Sequence, residues 1–177
     1  SKSPSAFDMD KLNYFNAAYL RALSPEDFAR EAEPWIRKSV KNEAYDAAAI
    51  AALLQARCEK LSDIPEKVDF FDQLPEYGVE LYTNKKSKTT AEVSLDMLKK
   101  TAPVLEGLDK WSQDAIHGAL VTLAEELGVK NATLMWPLRI AAAGKAVTPG
   151  GAVEICRILG KDETLRRLAL GIEKLEG

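Results

Sequence analysis

The chain has little of what most reactive centres are built from. Its 177 residues include one histidine and two cysteines. One histidine excludes a multi-histidine metal site, and Cys58 and Cys156 lie too far apart for a metal-ligand spacing. Sequence gives no ground for pairing them in a disulfide, and two small buried apolar groups in a reducing cytosol is the simpler reading. No stretch approaches about 18 uninterrupted apolar residues, so no membrane span is expected. Ser1-Lys2-Ser3-Pro4 leads into polar sequence, so no secretory signal is expected either. A large charge excess is also missing. Lys plus Arg number 24 against 27 Asp plus Glu, a formal charge of −3, which excludes a nucleic-acid binder held by bulk positive charge. A protein that reads a nucleic acid at a few chosen points stays open. Neither phosphate-loop motif, G-x-x-x-x-G-K-[ST] or G-x-G-x-x-G, occurs, and the pair Gly150-Gly151 is a weak substitute. His117 has no visible Ser or Cys partner, and Glu125-Glu126 reads as a solvated helix face. No catalytic residue is expected, and no metal.

What is present is helix signal. Apolar residues at 46% and charged residues at 29% fit a globular chain with room for one large domain or two small ones. Leu12, Phe15, Asn16, Tyr19 and Leu23 recur at helical spacing after Asp8. Ser24-Pro25-Glu26-Asp27 combines a capping hydroxyl, Pro at the first helical position and acids at the positive dipole end. The run from Glu43 to about Glu59 is rich in Ala and Leu and predicts one helix. Ser62 opens another, with Pro65 and Glu66 in its first turn. Leu74-Pro75-Glu76-Tyr77-Gly78 predicts a boundary between two helical subdomains, 1–75 and 76–177. Val79 to Tyr82 reads as a short extended piece, followed by a solvated basic loop with Lys85, Lys86 and Lys88. Further helices are expected from Thr90 to Leu105, from Ser112 to Gly128, from Asn131 to Gly144, from Thr148-Pro149 to Gly160 and from Asp162 to Leu175. The predicted class is all-α.

Three places invite a functional reading beside a bland one. Ile50, Leu53, Leu54 and Leu61 mark one face of the Glu43–Glu59 helix at i, i+3, i+4 and i+11, and the i+7 member is Arg57. Its guanidinium reads as a dipole partner that snorkels to solvent, or as a cation held by packing and aimed at a ligand. Met135-Trp136-Pro137-Leu138-Arg139 reads as core plus a surface cation, or as a platform for a base or phosphate. Thr148-Pro149 reads as a plain helix start, or as an N-terminus offering N–H groups to an anion or a base acceptor.

These positions fall in an ordered set of motifs. Ser3-Pro4-Ser5-Ala6-Phe7-Asp8, Lys11-Leu12-Asn13-Tyr14-Phe15-Asn16 and Tyr19-Leu20-Arg21 resemble the S-P-A-x-F-D, K-L-x-W-x-N and Y-[IL]-R run of bacterial glutamyl-tRNA synthetases. Leu61, Pro65-Glu66-Lys67, Phe70-Phe71, Pro137-Leu138-Arg139, Gly144-Lys145, Thr148-Pro149-Gly150 and Leu159-Gly160-Lys161 are similar to later segments of that family. The family pattern departs at Ala142-Ala143, where Leu-Thr is usual, and at Gly151, where an apolar residue is frequent. The H-I-G-H-type and K-M-S-K-S-type ATP-binding sequences are absent.

The resemblance implies the carboxy-terminal anticodon-binding region of such an enzyme, built as two packed helical subdomains forming an α-helix cage. It implies that the region does not aminoacylate by itself and holds no cofactor, ATP and Mg2+ belonging to the missing catalytic domain. The implied partners are the tRNA(Glu) anticodon loop and that N-terminal catalytic domain of the same protein, in a cytoplasmic monomer. Arg57 falls where the family reads the third anticodon base. Arg139, Thr148 and Pro149 match its other anticodon-loop contacts, with Trp136 and Lys145 as support. Relatives that accept both glutamate and glutamine tRNAs often lack the Arg, which points to glutamate tRNA alone. The competing reading is a free-standing helical protein-interaction module without RNA binding.

Overall fold

A computed structural model describes residues 6–177, with side chains from Asp8 onward; the motif residues 1–5 lie outside the described residues. Nine α-helices and no strand occur among the described residues, and the chain divides into two compact units between Asp72 and Gln73.

The first unit holds α1 (Ala6–Ala22), α2 (Pro25–Ile36), α3 (Ala47–Leu54) and α4 (Ile64–Asp72), the last preceded by a 3-10 turn at Leu61–Asp63. Ser24 caps α2 by accepting the Asp27 amide at 3.1 Å. Phe28, Ala32, Ile36, Ile50, Leu54, Ile64, Val68, Phe70 and Phe71 form its fully buried core, and each large member contributes about 1.5–3 kcal/mol by leaving water. The apolar stripe read on α1 lies largely in solvent: Leu12, Phe15 and Tyr19 are each more than half exposed, while Ala17 and Leu20 are buried.

The helix expected from Glu43 to Glu59 is only eight residues long, and the reason is local. Arg37 donates to the carbonyls of Val40, Asn42 and Tyr45 at 3.4, 3.0 and 2.9 Å, and Asn42 Oδ1 accepts the Ala44 amide at 2.9 Å. Side chains thereby claim the backbone groups that a helical turn would use. Asp46 then caps α3 by accepting from Ala48 at 3.0 Å. At the far end the chain turns so that Cys58, not Arg57, enters the core.

The second unit holds α5 (Ala91–Glu106), α6 (Gln113–Leu127), α7 (Asn131–Ala143), α8 (Ala152–Leu159) and α9 (Lys161–Glu176). Val79–Tyr82, expected to be extended, is a 3-10 turn. With no strand to pair against, its backbone satisfies itself locally, Thr83 donating to Glu80 at 3.2 Å. Helix α7 is central, packing on α5, α6, α8 and α9. Gly144 ends it at φ 65°, a left-handed conformation, and a Cβ there would meet Tyr77 and Pro75 at 3.0–3.1 Å. Ala141, Ala142 and Ala143, just before it, are fully buried.

Four polar side chains, Ser94, Thr101, Thr164 and Arg167, sit fully inside this unit, and two of them bear on its stability. Arg167 is 0% exposed; its Nε donates to Glu163 at 2.9 Å and its Nη1 to the Ala142 carbonyl at 2.6 Å. Thr101, on α5, buries a hydroxyl oxygen that has no hydrogen-bond partner. Leaving such a group unpaired costs about 1–3 kcal/mol. Thr101→Val, which keeps the shape, is therefore expected to raise the unfolding free energy by about 1 kcal/mol in a urea titration.

Both cysteines are buried and unbridged. Burial pushes the Cys156 thiol up to about 12 and raises Cys58 as well, so both are inert as nucleophiles.

Candidate nucleic-acid interface

Arg57 stands outside α3, in the turn that follows it, and its side chain is exposed. It is no member of a buried stripe. Its backbone is nevertheless firmly placed: its amide donates to the Leu54 carbonyl at 2.9 Å. On one side, Gln55 Nε2 donates to the carbonyls of Leu20 and Leu23 at 3.1 and 2.9 Å. These lie at the C-terminal end of α1, where carbonyls lack helical partners. On the other side Cys58 is buried, its thiol donating to the Lys60 carbonyl at 3.3 Å. An exposed cationic side chain thus rises from a fixed stem.

Arg139 is half-buried, and its guanidinium is bonded to the loop that follows α7. Nη1 donates to the Lys145 carbonyl at 3.2 Å and to Thr148 Oγ1 at 2.9 Å, and Nη2 donates to the Ala146 carbonyl at 2.7 Å. Its Cζ lies 4.7 Å from the centre of the Trp136 ring. Trp136 in turn donates from Nε1 to the Leu81 carbonyl at 2.9 Å. Burial lowers the pKa of Arg139, yet a guanidinium keeps its charge in a protein. The cation therefore organises the loop from Lys145 to Thr148, and the loop offers Val147, 86% exposed, at its tip. Sequence reasoning missed Val147, because a single apolar residue between Lys-Ala and Thr-Pro carries no signal. Lys145 is half-buried at the start of that loop.

Arg139→Ala is expected to cost about 1–2 kcal/mol through its three lost acceptors. Amide exchange should rise in residues 145–148 while α7 keeps its protection. Arg139→Lys should not restore it, because one ammonium lacks the planar fork that reaches all three.

Thr148-Pro149 does not begin a helix. Both residues are buried, and Thr148 Oγ1 is taken up by Arg139 and by donation to the Gly150 carbonyl at 3.0 Å. Gly150, at φ 78°, turns the chain, and α8 starts at Ala152 with Gly151 as its cap. The pair Gly150-Gly151 therefore precedes the helix and is not in its first turn. The true N-terminal turn of α8 lines an open groove of about 450 Å³ with Asp114 and His117 of α6 and Met135 of α7. Asp114 and Glu154 already bring negative charge there, which disfavours an anion. His117 and the pair Glu125-Glu126 are exposed.

Residues 27–172 match the family model described as an anticodon binding domain. The chain is 49% identical over 176 residues to the glutamate–tRNA ligase of Clostridium tetani (strain Massachusetts / E88), covering 99% of this chain and 36% of that protein. The glutamate–tRNA ligase of Clostridium acetobutylicum is 48% identical over the same shares. Among solved structures, the glutamate tRNA ligase from Elizabethkingia meningosepticum CCUG26117, in complex with its amino acid, is similar with a TM-score of 0.77 and 25% identity. That likeness covers 98% of this chain and 34% of the other. The chain thus spans about a third of the length of the curated relatives it matches.

Proposed function

The chain belongs to the anticodon binding domain family, and from that premise we propose that it is the anticodon-reading region of a glutamate–tRNA ligase. The observation that carries this is the match along 99% of the chain to a ligase almost three times as long. In this reading the parent enzyme attaches L-glutamate to tRNA(Glu) with ATP, and ATP and Mg2+ act in the catalytic domain that precedes this region. The region itself binds the anticodon loop and does not aminoacylate. The enzyme works as a cytoplasmic monomer; no helix among the described residues is long and apolar enough to cross a membrane.

In this reading Arg57 is the base reader, and its donor chemistry supports the role. Glutamate anticodons end in C and glutamine anticodons in G. An unstacked C presents acceptors at N3 and O2, whereas G presents N1–H and N2–H donors on the same edge. Arginine carries only donors. It bonds to C and faces G donor to donor, a mismatch worth about 1–3 kcal/mol. The exposed guanidinium on a pinned backbone supports this role, since the stem is preset where the side chain faces solvent. In the second unit, the Val147 tip is the surface that meets the loop of the RNA. Arg139, Thr148 and Pro149 give that tip its shape, and Trp136 and Lys145 support it.

A binding titration tests the proposal. The chain should bind tRNA(Glu) about 10- to 100-fold better than the same tRNA with G as its third anticodon base. Binding to the tRNA(Glu) should also weaken as salt rises. Equal, salt-insensitive affinities would leave a protein-interaction module as the better reading.

A further inference from the structure

We infer that the loop from Asn84 to Thr89 is a second RNA contact, in which Lys85, Lys86 and Lys88 hold backbone phosphates; this rests on the reading of the chain as a tRNA-binding region. From Leu81 to Ala91 there are three lysines and no acidic residue, in a chain with 27 acids. All three lysines are exposed, and none makes an ion pair among the described residues.

The loop that carries them is built, not slack. Asn84 and Thr89 exchange backbone hydrogen bonds at 3.1 and 3.0 Å. Asn84 Oδ1 accepts the Ser87 amide at 2.9 Å, and Thr89 Oγ1 donates to the Tyr82 carbonyl at 2.7 Å. From α7, Thr133 Oγ1 donates to the Ser87 carbonyl at 2.7 Å. Ser87 and Thr89 are buried between the exposed lysines. Lys88 adopts φ 56°, a left-handed conformation that glycine or asparagine would enter at less cost. The backbone thus asks for a different residue there, and what lysine adds is its charge.

The loop also sits on the element that shapes the proposed anticodon contact. Thr133, Trp136 and Arg139 recur at i, i+3 and i+6 along α7, hence on one broad face. The first holds the lysine loop and the last holds the loop tipped by Val147. An RNA strand that reaches Val147 therefore brings its phosphates to the same side of this helix. A chain of net charge −3 has no overall attraction for a polyanion, so a local cluster of cations is a place where a backbone can be held. Ammonium groups suit this task as point charges that contact phosphate without reading sequence.

The test is salt-dependent binding of tRNA(Glu) by the 177-residue chain and by its K85A/K86A/K88A variant. The variant is expected to bind about tenfold more weakly near 0.1 M salt. Its plot of log affinity against log salt should be less steep by about 2, as three lost phosphate contacts require. The loss should be the same for tRNA with C or G at the third anticodon base, and K85R/K86R/K88R should restore both affinity and slope. Thr133→Val, which frees the loop and leaves its charges, should weaken binding by a smaller factor. Unchanged affinity and slope in the triple alanine variant overturn the inference and leave the functional reading standing. So does an arginine variant that fails to recover binding. A parent chain with no affinity for tRNA overturns both.

Discussion

Glu163→Ala is expected to lower the unfolding free energy by about 3–5 kcal/mol, the largest effect of any single change considered for this chain. Arg167 is fully buried, and the substitution takes the Glu163 carboxylate from it while the cation stays inside. The reverse change, Arg167→Leu, should cost less, about 2–3 kcal/mol. Glu163 is 24% exposed and keeps Arg166, which donates to it through Nε at 2.9 Å and Nη2 at 2.6 Å. What Arg167→Leu leaves unpaid inside the protein is chiefly the Ala142 carbonyl. Urea titrations of both variants at neutral pH check the order, and an Arg167→Leu cost equal to or above that of Glu163→Ala contradicts it. The same carboxylate sets a pH dependence. The hydrogen bonds from Arg166 lead, and with Arg167 they hold Glu163 down to about 2 against an opposing push from burial. A folded-state value below the unfolded one means stability that is full at neutral pH and lost as pH falls from about 4.5 toward 2. The loss should shrink in Arg167→Leu without vanishing, because Arg166 remains.

The second large effect is on recognition. Arg57→Ala should bring the affinities for the C-ending and G-ending anticodons together, erasing the expected 10- to 100-fold preference. The drop should fall on tRNA(Glu), since that complex loses a bonded donor, while the G variant loses only a mismatch. Stability should hardly move, because the side chain is exposed and the turn is pinned through Gln55 and Cys58. Arg57→Lys should keep part of the affinity and less of the preference, as one ammonium cannot span N3 and O2 in the plane of the base. Preserved discrimination in Arg57→Ala would remove this residue from the reading role.

The all-α class was legible because capping signals such as Ser24-Pro25, Thr90 and Ser112 act within one turn of chain. Arg57 stood out in sequence as a break in an apolar stripe, and that reason is incorrect. The stripe presumes a helix that runs on to Glu59, whereas α3 ends at Leu54 and Arg57 lies in the turn beyond it. At its other end, the Arg37 side chain holds carbonyls three to eight residues on and overrules the propensity of an Ala-rich run. Thr148 failed similarly. A Thr-Pro pair reads as a helix start, yet Arg139 claims its hydroxyl from another helix. Arg167 gave no signal at all, since its i−4 partner Glu163 is what any solvated helix face shows. Only the packing of α9 against its neighbours buries it. Motif order carried the functional reading further than local spacing did.

The amide of Gln55 has one more consequence. It grips the end of α1, a helix that precedes the region matched by the family model, and it sits two residues from Arg57. The preceding helix is therefore part of the mount on which the reading side chain stands. Trimming the chain to begin at Ser24 should preserve the core of the first unit but slacken that mount. Base preference would then fall through lost alignment, with every atom of Arg57 still in place.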